Sequence, residues 1–252
     1  MEFSLSDEQR MLVDSARAFT EKELYPYEDE VEASDEVRPE LARQIREHAI
    51  AQGFYAANMP EDLGGGGLDS VSLSLVEREL GRANFALQYL VGRPSNILQA
   101  CVGEQRERYL LPCIRGEKTD CLAMTEPGAG SDLRSMQCRA KRDGDSYIIN
   151  GTKHFISHAD LADFVILFAA TGEEESSRGP RKLISAFLVD KGTPGFTVRQ
   201  GYHSVSHRGY HNSILEFENC RIPAEHMLGA EHQGFSVAND WLGTTRLQVA
   251  AM

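Results

Sequence analysis

The 252-residue chain is poor in positive charge: 26 Lys and Arg stand against 38 Asp and Glu, a formal net charge of −12. Neutralising phosphates requires clustered Lys and Arg, so this balance argues against a nucleic-acid or anionic-membrane surface. The only local basic run, Arg178-Gly179-Pro180-Arg181-Lys182, belongs to a polar stretch beginning at Thr171 and reads as a solvated loop. Cys-x-x-Cys spacing is absent. The five cysteines, Cys101, Cys113, Cys121, Cys138 and Cys220, are an odd set, for which a reduced compartment is the default. No apolar run approaches the ~18 residues of a membrane span. The start, Met1 to Glu8, lacks both the basic region and the apolar core of a secretory signal. The expectation is a soluble, cytoplasmic protein with small or neutral partners.

What is present divides by period. At 41% apolar the chain can bury more than one core. The first 118 residues read as helical. Ser6 with Gln9 makes a capping box ahead of Leu12, Ala16 and Phe19. Pro39 opens a second helix with Leu41, Ile45 and Ala49 on one stripe and Gly53 as its stop. A third begins near Ser70, carries Val71, Leu75, Val76 and Leu80, and ends at Gly81; Pro94 and Pro112 bracket shorter pieces. Gly64 to Gly67 reads as a plain loop.

After Lys118 the period becomes alternating. Asp145 to Ser157 predicts a hairpin turning at Asn150-Gly151, the favoured type I′ pair, which sets Phe155 and Ser157 on one side of a strand. Phe164–Ala170, Leu183–Asp190, Phe196–Gln200 and Ser213–Glu218 supply further strands, with a turn at Gly192 to Gly195. A small antiparallel β-barrel or sandwich is the natural closure. From Gly234 the helical period returns, with Phe235, Ala238, Leu242, Thr245 and Val249 on one stripe. The last residues, Leu247 to Met252, carry neither a glycine cap nor a proline stop, from which a truncation, or completion by another polypeptide, is expected.

The most informative segment is Leu122-Ala123-Met124-Thr125-Glu126-Pro127-Gly128-Ala129-Gly130-Ser131-Asp132. Pro127 presets a turn, while Gly128 and Gly130 allow positive φ and close approach of backbone N–H groups to a ligand. Successive N–H groups of this kind form an anion nest, flanked here by the hydroxyls of Thr125 and Ser131.

This string resembles the flavin-binding segment of the acyl-CoA dehydrogenase family. Asn150 to Ser157 resembles that family's second flavin segment, and Phe217 to Pro223 with Leu228-Gly229 its strand leaving the middle domain. Thr244-Thr245-Arg246 resembles the start of its third domain. The match runs from about Leu5 to the end. It implies an α+β multidomain fold: an all-α domain over residues 1–118, a flavin-binding β-domain over 119–228, and the first helix of a C-terminal helical bundle over 229–252.

The resemblance implies FAD as cofactor. The backbone from Leu122 through Met124 and the Thr125 hydroxyl would address the flavin's polar edge, and Gly130 and Ser131 its pyrophosphate. Phe155 would pack on the isoalloxazine, Ile156 would hold the same segment, and Ser157 would bond near the nitrogen that accepts hydride. The family more often has an aromatic residue at Leu122, Trp at Phe155 and Thr at Ser157. It further implies α,β-dehydrogenation of an acyl-CoA thioester, with Ser131 and Arg246 towards the substrate, an electron-transfer flavoprotein as partner, and a dimer or tetramer.

The family's catalytic base is a Glu of the third domain, or in some members a Glu just before the arginine matching Arg246; here that position is Thr245, and Gly243 stands where Asp is frequent. No base is named within these residues. Arg246 borders the apolar stripe and needs a partner. Two other readings remain open: an acyl-CoA oxidase-like enzyme, and a non-catalytic flavin- or partner-binding module.

His154/His158 and His207/His211 are each four apart. On strands that spacing separates two rings by ~13 Å, so no metal site is expected.

Overall fold

The computed structural model describes residues 4–176 and 179–252, with the side chains of Arg134, Ser176, Asp240, Trp241, Leu242 and Thr244 excepted. Met1, Glu2, Phe3 and Arg178 therefore lie outside the described residues, as do the Leu242 and Thr244 side chains. The helices are α1 (Asp7–Phe19), α2 (Glu28–Ser34), α3 (Pro39–Ala51), α4 (Ser70–Leu80), α5 (Phe85–Tyr89), α6 (Leu111–Ile114) and α7 (Gly234–Ala251). The strands are β1 (Asp120–Ala123), β2 (Arg139–Asp143), β3 (Ser146–Ser157), β4 (Phe164–Ser176), β5 (Gly179–Asp190), β6 (Phe196–Tyr202), β7 (Asn212–Pro223) and β8 (Met227–Leu228).

Local chemistry sets the helix ends. Ser6 Oγ accepts from Gln9 N and Gln9 Oε1 accepts from Ser6 N, both at 3.1 Å, so the capping box forms. Asp69 caps α4 by accepting from Ser72 N at 2.8 Å. In α4 the buried stripe is Leu73, Val76 and Leu80, whereas Val71 is exposed; the stripe is rotated from the one expected. Glu77 of α4 accepts from Gln88 of α5 and from Arg93 beyond it, and Arg93 also donates to Gln248 of α7. In α7 Ala238, one of the residues assigned to its stripe, is buried together with Gln248, whereas Phe235 and Val249 of that stripe are exposed.

The eight strands form one sheet in the order β6-β7-β3-β2-β4-β5-β8, with β1 added beside β4. Most pairings are antiparallel, but β1 and β2 each meet β4 in parallel. The chain thus has an N-terminal helical domain followed by a curled β-sheet domain.

Three local expectations fail for physical reasons. First, Asn150-Gly151 is not a turn. β3 runs unbroken through it, and the hairpin lies at Gly144-Asp145, between the paired Asp143 and Ser146. Gly144 has φ 63 and Asp145 is not among the residues with positive φ, the pattern of a type II′ turn. Gly151 instead lies within β3 at φ 146, opposite a bulge of β7 at Glu218-Asn219, and a Cβ there would stand 2.6 Å from the Cα of Cys138.

Second, residues 171–176 and 179–182 of the polar stretch are strand rather than loop. Glu173 pairs with Lys182 and Glu174 with Arg181, so opposite charges face each other across β4 and β5. Third, Phe155 has φ 55 beside a second register shift, between Lys153 and Ile156. The strict alternation that would set Phe155 and Ser157 on one side is therefore broken.

Candidate functional site

The segment from Leu122 to Asp132 leaves the sheet at the end of β1, where Leu122 is paired with Ile166 and half-buried. Glu126 and Ala129 exchange backbone N–H···O bonds of 3.0 and 3.2 Å, closing a tight turn with Pro127 and Gly128 at its corner. Neither Gly128 nor Gly130 is among the residues with positive φ, so the left-handed role expected of them is not used. A Cβ on either would meet nothing of this chain within 4 Å. The N–H groups of Gly128, Gly130 and Ser131 have no acceptor among the described residues, and all three residues are exposed.

A buried ion pair fixes this turn against β3. Lys153 is fully buried, and its Nζ donates to Glu126 Oε1 at 2.8 Å and to the Met124 carbonyl at 2.9 Å. Glu126 also accepts the backbone N–H groups of Gln137 and Cys138, at 2.6 and 3.0 Å. Beside it, His154 N donates to the Thr125 carbonyl at 2.8 Å. The two motif segments are thus bonded directly to each other, Met124 and Thr125 on one side and Lys153 and His154 on the other.

One residue further along β3 the chain presents Phe155, 55% exposed. Its ring stacks on Tyr202 of β6, centroids 5.0 Å apart and planes at 28°, and His154 meets it edge-on at 4.4 Å. Tyr202 Oη and His154 Nε2 bond at 3.0 Å, closing a three-ring cluster. Ile156 points into the core at 2% exposure. Ser157 Oγ donates to Asn212 Oδ1 at 3.2 Å and is half-buried at the strand end. Ser131 is exposed at the far end of the turn.

Arg246 is exposed on α7 and forms no ion pair among the described residues, so the partner expected for it is not found there. The roles of Glu126 and Lys153 were not apparent from sequence, although both lie inside the motifs. The available signal was a lone Lys in an apolar strand, which demands a buried partner. Tyr202 and Asn212 carried no local signal at all; sheet pairing alone brings them to β3.

The chain matches the family description "Acyl-CoA dehydrogenase, N-terminal domain" over residues 6–117 and "Acyl-CoA dehydrogenase, middle domain" over residues 121–220. It is 38% identical over 254 residues to a cyclohex-1-ene-1-carbonyl-CoA dehydrogenase of Geobacter metallireducens, covering 98% of this chain and 64% of that protein. It is 35% identical to the caffeyl-CoA reductase-Etf complex subunit CarC of Acetobacterium woodii, with the same two coverages. Among solved structures, a glutaryl-CoA dehydrogenase from Mycobacterium smegmatis in complex with FADH2 superposes with a TM-score of 0.83 at 29% identity, over 98% of this chain and 61% of that one. The chain therefore spans under two thirds of the length of these relatives. Both domain matches fall on the helical and β-sheet portions described above, and the turn bonded to β3 lies within the second: this chain belongs to the acyl-CoA dehydrogenase family.

Proposed function

We propose that the chain is the FAD-binding portion of an enzyme that dehydrogenates an acyl-CoA thioester to the trans-2-enoyl-CoA. The observation that supports this most is the direct bonding of the 122–132 turn to β3, His154 N to the Thr125 carbonyl, which brings the segment carrying the free N–H groups against the strand that carries the exposed Phe155 ring. An exposed turn with unpaired N–H groups and no steric need for its glycines within the chain suits a ligand whose phosphates approach the backbone closely. In this reading residues 1–118, 119–228 and 229–252 are the helical domain, the flavin-binding domain and the first helix of a third.

Each residue then has a defined task. The Leu122–Met124 backbone and Thr125 line the polar edge of the ring system, and Gly130 and Ser131 meet the pyrophosphate. Phe155, backed by Tyr202, supplies a flat face; Ile156 anchors that segment in the core. Ser157 takes up a hydrogen bond near the acceptor nitrogen, its hydroxyl turning from Asn212 when the ring system binds. Ser131 and Arg246 orient the thioester. The bound flavin supplies the hydride acceptor, and the protein's contribution is positioning and electrostatic tuning. Removal of the α-proton needs a carboxylate base beside that carbon, which is assigned to the third domain of the whole protein.

A glutaryl-CoA dehydrogenase relative is in complex with FADH2, and another relative is named as part of an Etf complex, which supports FAD and an electron-transfer flavoprotein as this protein's cofactor and electron acceptor. The test is anaerobic titration of the flavin-loaded, full-length protein with a panel of acyl-CoAs. Bleaching of the flavin band with formation of enoyl-CoA is expected. A stable oxidised spectrum with every acyl-CoA would overturn the reading, and stoichiometric peroxide in air would replace it by an oxidase.

A further inference from the structure

The loop between β6 and β7 carries His203 at one end and His211 at the other, and it folds back onto Asp35, the residue that ends α2. The expectation that the His207/His211 pair lies on a strand is thereby corrected: 203–211 is a loop, and it brings distant side chains together. A ring nitrogen of each histidine and a carboxylate oxygen of Asp35 lie within 4.8 Å of one another. Asp35 is 8% exposed and held in place, its Oδ1 accepting from Gly209 N at 2.8 Å. Its Oδ2 lies 2.6 Å from His203 Nδ1 and 3.5 Å from the Arg208 guanidinium.

Both imidazoles are oriented by bonds on their outer side. His211 Nε2 donates to the Asp35 carbonyl at 3.0 Å, and His203 Nε2 meets the Gln200 side-chain amide at 3.0 Å. The other nitrogen of each ring faces a carboxylate, His203 Nδ1 towards Asp35 and His211 Nδ1 towards Asp160 Oδ2 at 3.5 Å. An outer hydrogen bond that fixes ring and tautomer is the usual support of a metal-binding histidine.

An independent observation points the same way. His203 and His211 line a cavity of about 1090 Å3 together with His158 and Asp160. His158 is 4% exposed and its Nε2 has no partner among the described residues; the same holds for Asp160 Oδ1. Buried polar groups left unpaired are costly, so the unpaired Asp160 oxygen beside His211 favours a cation at that end of the cavity.

We propose that Asp35, His203 and His211, with Asp160 beside them, bind one divalent cation of the zinc class. Two imidazoles and a carboxylate suit zinc, nickel or cobalt rather than calcium or magnesium, and three protein ligands leave a fourth position for Asp160 or water. Arg208 supplies part of the compensating charge on Asp35 when no cation is bound. The bound ion ties the end of α2, in the helical domain, to the β6–β7 loop. The proposal does not rest on the flavin reading, although the cavity is also lined by Tyr202 and Asn212, which stand behind Phe155 and Ser157.

The test is calorimetric titration of chelator-stripped protein with zinc chloride, with the visible spectrum of the cobalt form as a second readout. One equivalent is expected to bind and to raise the melting temperature. His203→Ala and His211→Ala should each weaken binding by at least about tenfold and abolish the thermal shift, with far-UV circular dichroism confirming that the variants fold. His207→Ala, in the same loop but outside the cluster, should bind as the unaltered protein does. Absence of saturable binding to the unaltered protein, binding that survives in His203→Ala/His211→Ala, or an equal loss in His207→Ala would overturn the proposal.

Discussion

Lys153 Nζ lies 2.8 Å from Glu126 Oε1 with the lysine side chain fully out of solvent and the glutamate 4% exposed. This pair joins the turn at 122–132 to β3, and through it the two segments assigned to the flavin. Removing one partner leaves a buried charge without compensation, which costs ~3–5 kcal/mol. Lys153→Met is therefore expected to lower the unfolding free energy by that amount in urea denaturation. Adding Glu126→Gln should recover part of the loss, because a neutral amide needs no cation. A loss below ~1 kcal/mol for Lys153→Met would show that the pair does not hold the turn.

Gly151 and Gly128 should respond in opposite ways to the same change. A Cβ at Gly151 meets backbone at 2.6 Å and φ is 146, so Gly151→Ala is expected to destabilise by at least ~1–3 kcal/mol. Gly128 has open space, so Gly128→Ala should change stability by less than ~0.5 kcal/mol while weakening FAD binding. Thermal melts and flavin fluorescence titrations on both variants check this. Unchanged flavin affinity in Gly128→Ala would remove the close-approach argument.

These two glycines also show where the sequence was legible. The capping box at Ser6, the start of α3 at Pro39 and the end of α4 at Gly81 follow from local chemistry and could be read directly. The position of the hairpin turn could not, because Asn150-Gly151 and, a few residues upstream, Gly144 beside Asp145 are competing turn signals. The choice between them is made by Cys138 packing on Gly151, a contact between residues that sequence does not pair. The same holds for Tyr202 behind Phe155 and for His203 and His211 around Asp35. Motifs name the candidate site residues; sheet register decides what stands behind them.

Phe155 is more than half exposed, so truncating it should cost little stability. Phe155→Ala is expected to leave the melting temperature nearly unchanged and to weaken FAD binding by about tenfold, in line with ~1–2 kcal/mol for an aromatic contact. Tyr202→Ala should show a smaller loss of the same kind, and Tyr202→Phe, which keeps the stacked ring, should restore most of it. A large loss of stability in Phe155→Ala would mean that the ring is a core residue instead.

Asp120 opens β1 beneath the turn, and burial pushes its carboxyl above the ordinary 3.8 even though Ser95 donates to it through N and Oγ. A raised folded pKa adds stability that is present below the unfolded value and lost as pH rises through the folded one. Asp120→Asn has no such loss. Its stability relative to the unaltered protein is expected to increase between pH 4 and pH 7, measured by urea midpoints at both. A difference that is constant or shrinks over that interval would contradict the direction of the shift.

The most direct measurement is a crystal structure of the protein with FAD bound. The account predicts the pyrophosphate within hydrogen-bond distance of the Gly130 and Ser131 backbone and the isoalloxazine against Phe155, with Ser157 at its edge. Flavin density elsewhere on the chain, with the 126–131 turn still facing solvent, would contradict it.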